Sequence, residues 1–414
     1  MSMQSTDTAG LRRNRRAALD VVIVGGGVVG ACLALALLRD GRRVALVESR
    51  IEPPWQPTSP DLRVYALAPD SLALLDELGI GSALRYARCQ PYQAMRVWDA
   101  AGGDALAFDA HSLGRDALGA IVEHSLLVET LWTALRQQAA FTAHVPATVS
   151  GLEQDAAGVE VTLADGTRLR AALAVAADGA DSVLRGLAGI EVDRHDYGQR
   201  GLVGYVESER SHENTAWQRF LPGGPLAVLP FADAVDNTPA ALRGRRSSFV
   251  WTLPNSEAER LSTLPGAEFS REITRAFDAR LGELRLLSAI ASFPLRRQLA
   301  QRYVAGRVVL VGDAAHAVHP LAGQGVNLGL RDVACLRRIL AGAEFSELGE
   351  PRRLARYARE RRSENAVAAW SFDGINRLFS NDAVLPTLLR GPVLGLVSKL
   401  EPLRRLLAQR ALGG

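Results

Sequence analysis

The stretch VVIVGGGVVGACLALALLRDGRRVALVES, Val21 to Ser49, constrains the fold of this chain more than any other. Val21–Val24 is an all-apolar run of the kind that forms a parallel strand covered on both faces. Val28–Arg39 is rich in Ala and Leu and long enough for a helix, RDGRR breaks it, and Val44–Val47 is a second buried strand. Residues 20–48 therefore predict one βαβ unit. Between its first strand and helix stands Gly25-Gly26-Gly27-Val28-Val29-Gly30. Gly25 permits the tight turn, Gly27 lets a pyrophosphate approach the backbone, and Gly30 lets the helix pack closely on the strand. The helix N-terminus adds unpaired N–H groups and a partial positive charge. Glu48, 18 residues beyond Gly30, suits hydrogen bonds from adenosine ribose hydroxyls and disfavours a 2′-phosphate. A bound dinucleotide is expected, and this stretch alone leaves NAD and FAD open.

A second stretch, VVLVGDAAHAVHPLAGQGVNLGL, narrows the choice. A buried strand ends at Gly312-Asp313, putting a carboxylate where ligands sit in open α/β sheets. The loop that follows carries Pro320, Gly323, Gln324, Gly325, Val326 and Asn327 and leads into a helix. Its backbone N–H groups at a helix N-terminus suit an anionic ring edge, which a reduced flavin has and NAD lacks. His316 and His319 read as capping or packing residues rather than metal ligands, because Pro320 disfavours a helical pair and no carboxylate or cysteine has matching spacing. A third stretch, AADGADSVLRGLAGI, ends a buried strand at Asp178-Gly179, with Arg185 further on. Alone it would be an ordinary Asp-Gly turn.

Elsewhere, helices are expected at SLALLDELG, Leu126–Gln138 and Glu268–Leu284, and a hairpin over Gly158–Arg170 with Asp165-Gly166 at its centre. Residues 200–255 alternate and predict an antiparallel sheet, with 233–247 an exposed loop within it.

Composition excludes several classes. The net charge is +3, and Arg12, Arg13, Arg15 and Arg16 against Asp7 supply all of it. The remainder balances, so no nucleic-acid face is expected. Lys399 is the sole lysine, which argues against a P-loop or a Schiff base. Cys32, Cys89 and Cys335 have no metal or redox spacing and suit a reducing compartment. No secretory signal and no eighteen-residue apolar run are read, so a cytoplasmic chain without a transmembrane helix is expected.

In this order and spacing, the three stretches resemble the FAD signatures of the group A flavoprotein monooxygenases. Within that group, DLRVYALAPDSLALLDELGIGSAL, AIVEHSLLVETLW, QRFLPGGPLAVLPF and GDAAHAVHPLAGQGVNLGL resemble the ubiquinone-biosynthesis ring hydroxylases over residues 20–400. The resemblance implies an α/β fold with a Rossmann-like FAD-binding domain, an inserted antiparallel substrate domain and C-terminal helices. Its boundaries would be a basic tail at 1–17, FAD-binding segments at 18–90, 118–190 and 295–370, substrate segments at 91–117 and 191–294, and a helical segment at 371–414. It implies that Gly25, Gly27, Gly30 and Glu48 bind the ADP half of FAD. Arg63 would meet its phosphates or flavin, and His124, where the family has Asn, its ribityl chain. Asp178 and Gly179 would serve both FAD and a transient NADH or NADPH, and Gly312 and Asp313 the ribityl or ribose hydroxyls. Pro320 and Gly323 to Asn327 would line the flavin ring.

The resemblance also implies the reaction. NAD(P)H visits a surface without a second Gly-rich turn, O2 adds to reduced flavin, and the terminal oxygen of the hydroperoxide passes to a phenol ring, with no metal. The implied substrate is a polyprenylphenol. A soluble phenol hydroxylase, a flavin reductase and a non-catalytic FAD-bearing subunit are the alternatives. Membership of a ubiquinone-biosynthesis complex, a homo-oligomer, and peripheral contact with the inner membrane through the Arg- and Leu-rich stretch Pro386–Leu412 are further expectations.

Overall fold

The computed structural model describes residues 19–102, 105–233, 243–318 and 325–379, with side chains of the last helix as far as Val367. The basic tail, Pro320, Gly323, Gln324, His319 and Pro386–Leu412 lie outside the described residues. Leu19–Val24 (β1), Val28–Arg39 (α1) and Val44–Val47 (β2) form the βαβ unit, and α1 and β2 have the bounds read from the sequence. The chain continues through Val64–Leu67 (β3), Pro69–Glu77 (α2), Gly81–Arg88 (α3), Cys89–Tyr92 (β4), Ala94–Asp99 (β5), Leu106–Asp109 (β6) and Gly119–Glu123 (β7). Then come His124–Arg136 (α4), Phe141–His144 (β8), Val149–Gln154 (β9), Val159–Leu163 (β10), Arg168–Ala176 (β11) and Val183–Leu187 (α5). The first sheet runs β18-β19-β11-β1-β2-β8, where β18 is Val304–Ala305 and β19 is Val308–Leu310. Strands β19, β11, β1, β2 and β8 are parallel, and the β9-β10-β11 meander extends from one of them. The β10–β11 hairpin turns at Gly166, whose φ of +88° is the left-handed region that glycine tolerates.

The second sheet begins with Val192–Ser208 (β12), Thr215–Leu221 (β13), Gly224–Pro230 (β14) and Arg246–Pro254 (β15). Asn255–Ser262 (α6), Gly266–Ala276 (α7), Leu284–Leu286 (β16), Ala291–Ala300 (β17) and His316–Ala317 (β20) follow. Its order is β20-β17-β12-β15-β14-β13-β5-β6, with β16 beside β12, antiparallel except where β5 joins β13. One face packs Leu202, Leu226, Phe249 and Trp251 against Phe269, Ile273 and Phe277 of the α7 region. Each such buried side chain contributes about 1.5–3 kcal/mol. The other face sets Tyr205, Leu229 and Phe231 against Tyr92, Leu118 and Ile121, which belong to or adjoin the small β3-β7-β4 sheet. The chain then forms Gly325–Leu340 (α8) and Pro351–Phe379 (α9).

Three expectations need correction. The helix expected at Leu126–Gln138 starts at His124, because the N–H of His124 bonds to Arg63 across the sheet while Glu123 still has strand geometry. The helix expected over Glu268–Leu284 stops at Ala276, since Asp278 and Ala279 take φ of +61° and +48° and turn the chain into β16. The loop expected over 233–247 yields at its end to β15, with Ser247 fully buried.

Candidate FAD site

Strands β2, β1, β11 and β19 are parallel neighbours, so their carboxyl ends share one edge. That edge collects Glu48, Gly25, Asp178-Gly179 and Gly312-Asp313, residues up to 288 positions apart in the chain. Gly25 has φ +106°, its N–H donates to Val47 O at 2.8 Å, and a Cβ there would strike the Ala177 carbonyl. A Cβ on Gly30 would strike the carbonyl of Gly25. Gly27 differs, because a Cβ there would meet none of the described residues within 4 Å. Gly27 is the N-cap of α1, no side chain caps the helix, and its first turn has no acidic residue. An open helix N-terminus against an uncrowded backbone fits a pyrophosphate.

Glu48 braces this turn. Its Oε2 accepts the Gly26 N–H at 2.6 Å, and its Oε1 accepts from Arg50 N at 2.9 Å and Ser49 Oγ at 3.1 Å. Trp132 of α4 closes the side, its Nε1 donating to Gly26 O at 2.9 Å. Asp178 is largely spent inside the protein, accepting the Ser182 hydroxyl and the Leu184 N–H. Ser182 in turn caps α5. Arg185, buried, donates to Ala314 O at 2.9 Å and Ala180 O at 2.8 Å, tying the Asp178-Gly179 turn to the Gly312-Asp313 turn. Gly312, at φ +59°, lies over Val29 of α1. After Asp313 the chain is more ordered than a plain loop, with a 3-10 turn over Gly312–Ala314 and then β20 against β17.

The β3–β7 pair supplies a second wall. Arg63 precedes β3 and His124 follows β7, joined by His124 N to Arg63 O at 2.9 Å. Tyr65 Oη lies 2.9 Å from His124 Nδ1, and the Arg63 guanidinium sits over the Tyr65 ring at 5.3 Å. Burial pushes the Tyr65 phenol up to about 12; Arg63 opposes this, and the charges of Asp313, Asp61 and Glu52 add to it. The influence of Asp313 on Tyr65 links this wall to the strand edge. Burial, then Arg63, lowers His124 to about 4, with Asp61 opposing, so its ring is neutral at pH 7. A phenol is the better donor and a neutral imidazole nitrogen the better acceptor, so Tyr65 donates to Nδ1 and the His124 proton stays on Nε2.

At the start of α8, a Cβ on Gly325 would meet none of the described residues within 4 Å, and Val326 is buried. The Asn327 side chain is used up, accepting from Ala68 N and donating to Ala66 O, both at 2.8 Å. It clamps β3 to α8. His316 is fully buried, and its Nε2 lies 2.5 Å from Asp332. Among the described residues no group of three His, Cys, Asp or Glu side chains could hold a metal. Burial raises the thiols of Cys32, Cys89 and Cys335, to about 12, 11 and 11 respectively.

Sequence reasoning missed Tyr65, Trp132 and Asp332. The signal for Asp332 was present: Leu328, Asp332, Cys335 and Ile339 follow helical spacing, which places a charge on an apolar stripe. Tyr65 and Trp132 give no such signal, since aromatics in a strand and a helix read as core.

Fold and site together define a dinucleotide-binding α/β protein with a separate, mainly antiparallel sheet beside the cofactor edge. A family model described as an FAD binding domain matches residues 18–370. Ubiquinone hydroxylase UbiL of Rhodospirillum rubrum is 40% identical over 95% of this chain and 89% of that protein. The 3-demethoxyubiquinol 3-hydroxylase of Escherichia coli is 36% identical over 95% and 98%. Among solved structures, p-nitrophenol 4-monooxygenase PnpA of Pseudomonas putida superposes with a TM-score of 0.74 at 21% identity, covering 95% of this chain and 98% of that one. HpxO of Klebsiella pneumoniae, complexed with FAD and uric acid, gives 0.72 at 20% identity, over 95% and 96%. The chain belongs to the ubiquinone-biosynthesis hydroxylase family of FAD-dependent aromatic-ring monooxygenases, whose co-substrates are NAD(P)H and O2.

Proposed function

We propose that this enzyme hydroxylates the ring of a polyprenylphenol intermediate of ubiquinone biosynthesis. The observation that carries this reading is near-full-length likeness, at 40% and 36% identity, to two proteins named as ubiquinone-pathway hydroxylases. In balance, NAD(P)H, a proton, O2 and the ring C–H give NAD(P)+, water and the ring C–OH. Bound FAD supplies the redox chemistry, taking electrons from NAD(P)H and activating O2.

The chain's own groups bind and orient. In this proposal the N–H groups of Gly27 and the start of α1 take the pyrophosphate, and Gly25 and Gly30 keep the turn tight. Glu48 receives the adenosine ribose. Arg63 lies towards the phosphates or flavin, and His124 offers its Nε2–H to the ribityl chain. Gly312 and Asp313 hold ribityl or ribose hydroxyls. Gly179 and the Asp178 turn serve FAD and the visiting NADH or NADPH through backbone groups. Pro320, Gly323, Gln324, Gly325 and Val326 line the flavin ring, and Asn327 holds the start of α8 in place. Segments 18–90, 118–190 and 295–370 form the FAD unit, and 91–117 with 191–294 the substrate unit. The proposal extends to a cytoplasmic location with peripheral inner-membrane contact, and to a homo-oligomer or a biosynthetic complex. Among the described residues no helix is long and apolar enough to cross a membrane.

The test is aerobic NAD(P)H turnover with labelled O2 and a prenylphenol. One labelled oxygen per product ring is expected. NAD(P)H oxidation that yields only peroxide, over a series of prenylphenols, would sink the reading. Co-sedimentation with anionic liposomes at low salt tests the membrane contact, and full recovery in the supernatant removes it.

A further inference from the structure

The Gly312-Asp313 turn is held from behind by a fully buried carboxylate. Asp332 Oδ2 accepts the Gly312 N–H at 2.9 Å and lies 2.5 Å from His316 Nε2. Its Oδ1 accepts from Arg361 Nε at 2.6 Å and Asn365 Nδ2 at 3.2 Å, both from α9. Arg361 also donates to Asn365 Oδ1 at 2.8 Å, and the Tyr303 ring stacks on His316 at 6.2 Å. Opposite charges and hydrogen bonds outweigh desolvation and keep the Asp332 carboxyl below its usual range, so it is ionised and His316 Nε2 carries the donated proton.

Apolar replacement of a buried ion pair is often neutral or stabilising, so stability alone accounts poorly for this one. Its geometry suggests a different role. One oxygen is aimed at the backbone N–H of the residue before Asp313, and the other receives two side chains from the last described helix. Fixing the Gly312 N–H fixes the turn from which the Asp313 side chain projects.

We propose that Asp332 is a positioning residue for FAD: it sets the Gly312-Asp313 turn, and Arg361 and Asn365 make that setting depend on the docking of α9. By linkage, FAD binding and α9 docking then favour one another. The inference concerns cofactor binding and stands whichever ring the enzyme hydroxylates.

The test uses the full-length protein, deflavinated and titrated with FAD by flavin fluorescence. Hydrogen exchange over 351–367 is followed with and without FAD. The variants are Asp332→Asn, Arg361→Lys, and the double change Asp332→Asn with Arg361→Met, which removes both charges. Ile273→Val is the control; Ile273 is fully buried in the core between the nine-stranded sheet and α7, away from α9. Asp332→Asn and the double variant are expected to weaken FAD by about tenfold or more and to shift the absorption of bound flavin. Arg361→Lys should fall between them and the parent. Ile273→Val should lower Tm without changing FAD affinity, and FAD should slow exchange in α9. If Asp332→Asn does not fold, Arg361→Lys, which keeps charge and stem, decides. The proposal is overturned if the folded variants bind FAD within about twofold of the parent. It is equally overturned if Ile273→Val weakens FAD as much as they do, or if FAD leaves α9 exchange unchanged.

Discussion

At His124, where the resemblance implies asparagine, the side chain present offers the same pair of groups. Asparagine offers one acceptor and one donor group; here Nδ1 accepts from Tyr65 and Nε2–H remains as a donor. The environment that fixes this tautomer also makes the residue a pH liability. Its pKa falls to about 4 in the folded state, against about 6.5 when unfolded, with burial the larger cause and Arg63 the second. Below pH 6.5 the unfolded chain binds a proton that the folded chain refuses. The stabilisation from neutral His124 is therefore full above 6.5, declines as pH falls, and is gone near 4. At pH 5 the loss amounts to about 2 kcal/mol. His124→Asn should remove this component. Urea unfolding at pH 7 and pH 5 should show the parent losing about 2 kcal/mol more than the variant, with other titrating groups cancelling. Equal losses would mean that His124 is solvated or charged in the folded protein.

At the scale of the element, the β1–α1 turn was the most legible part of the chain, because both neighbouring elements and its glycines obey local rules. Its glycines are nevertheless unequal, and only the folded structure separates them. Gly25 and Gly30 are packed against backbone carbonyls, whereas Gly27 meets none of the described residues and has φ −67°, which alanine adopts freely. Gly30→Ala should destabilise the FAD-free protein by about 1–3 kcal/mol through overpacking. Gly27→Ala should leave FAD-free stability unchanged yet weaken FAD by about tenfold, because its methyl occupies space the pyrophosphate needs. Thermal unfolding of the deflavinated variants, followed by FAD titration, checks both. A Gly27→Ala protein with parental FAD affinity would place the pyrophosphate elsewhere. Less was legible where local rules run out. Nothing before Gly282 announces the turn at Asp278 and Ala279, and neither residue is a usual breaker of a helix. The parallel pairing of β5 with β13 joins strands more than 100 residues apart and leaves no trace in either.

Over the whole molecule, what escaped the sequence is the set of ties between layers, because their members come from unrelated stretches. Glu123, fully buried at the end of β7, gathers three of them. It accepts from Asp61 N at 2.8 Å and Trp55 Nε1 at 3.1 Å and forms an ion pair with Arg88 at 3.3 Å. Arg88 in turn lies over the rings of Trp55 at 5.3 Å and Phe231 at 5.6 Å. Phe231 packs on the inner face of the nine-stranded sheet, so one buried pair joins the segment before β3, the small sheet and the large sheet. Positions 55, 88, 123 and 231 have no common spacing, and a lone Arg at the end of a helix reads as a solvated cap. Burial raises the Glu123 pKa despite Arg88 and the two N–H donors, the mark of a carboxylate that depends on its partners. Removing either partner should therefore cost more than removing both. Arg88→Met strands a negative charge and Glu123→Gln a positive one, each costing about 3–5 kcal/mol. The double change Arg88→Met with Glu123→Gln removes both charges while the glutamine amide oxygen still accepts from Asp61 or Trp55. Its cost should fall well below the sum of the single changes, by about 2 kcal/mol or more. A double-mutant cycle by denaturant unfolding measures this. Additive costs would mean that the layers are held by apolar packing alone and that the ion pair is incidental to their docking.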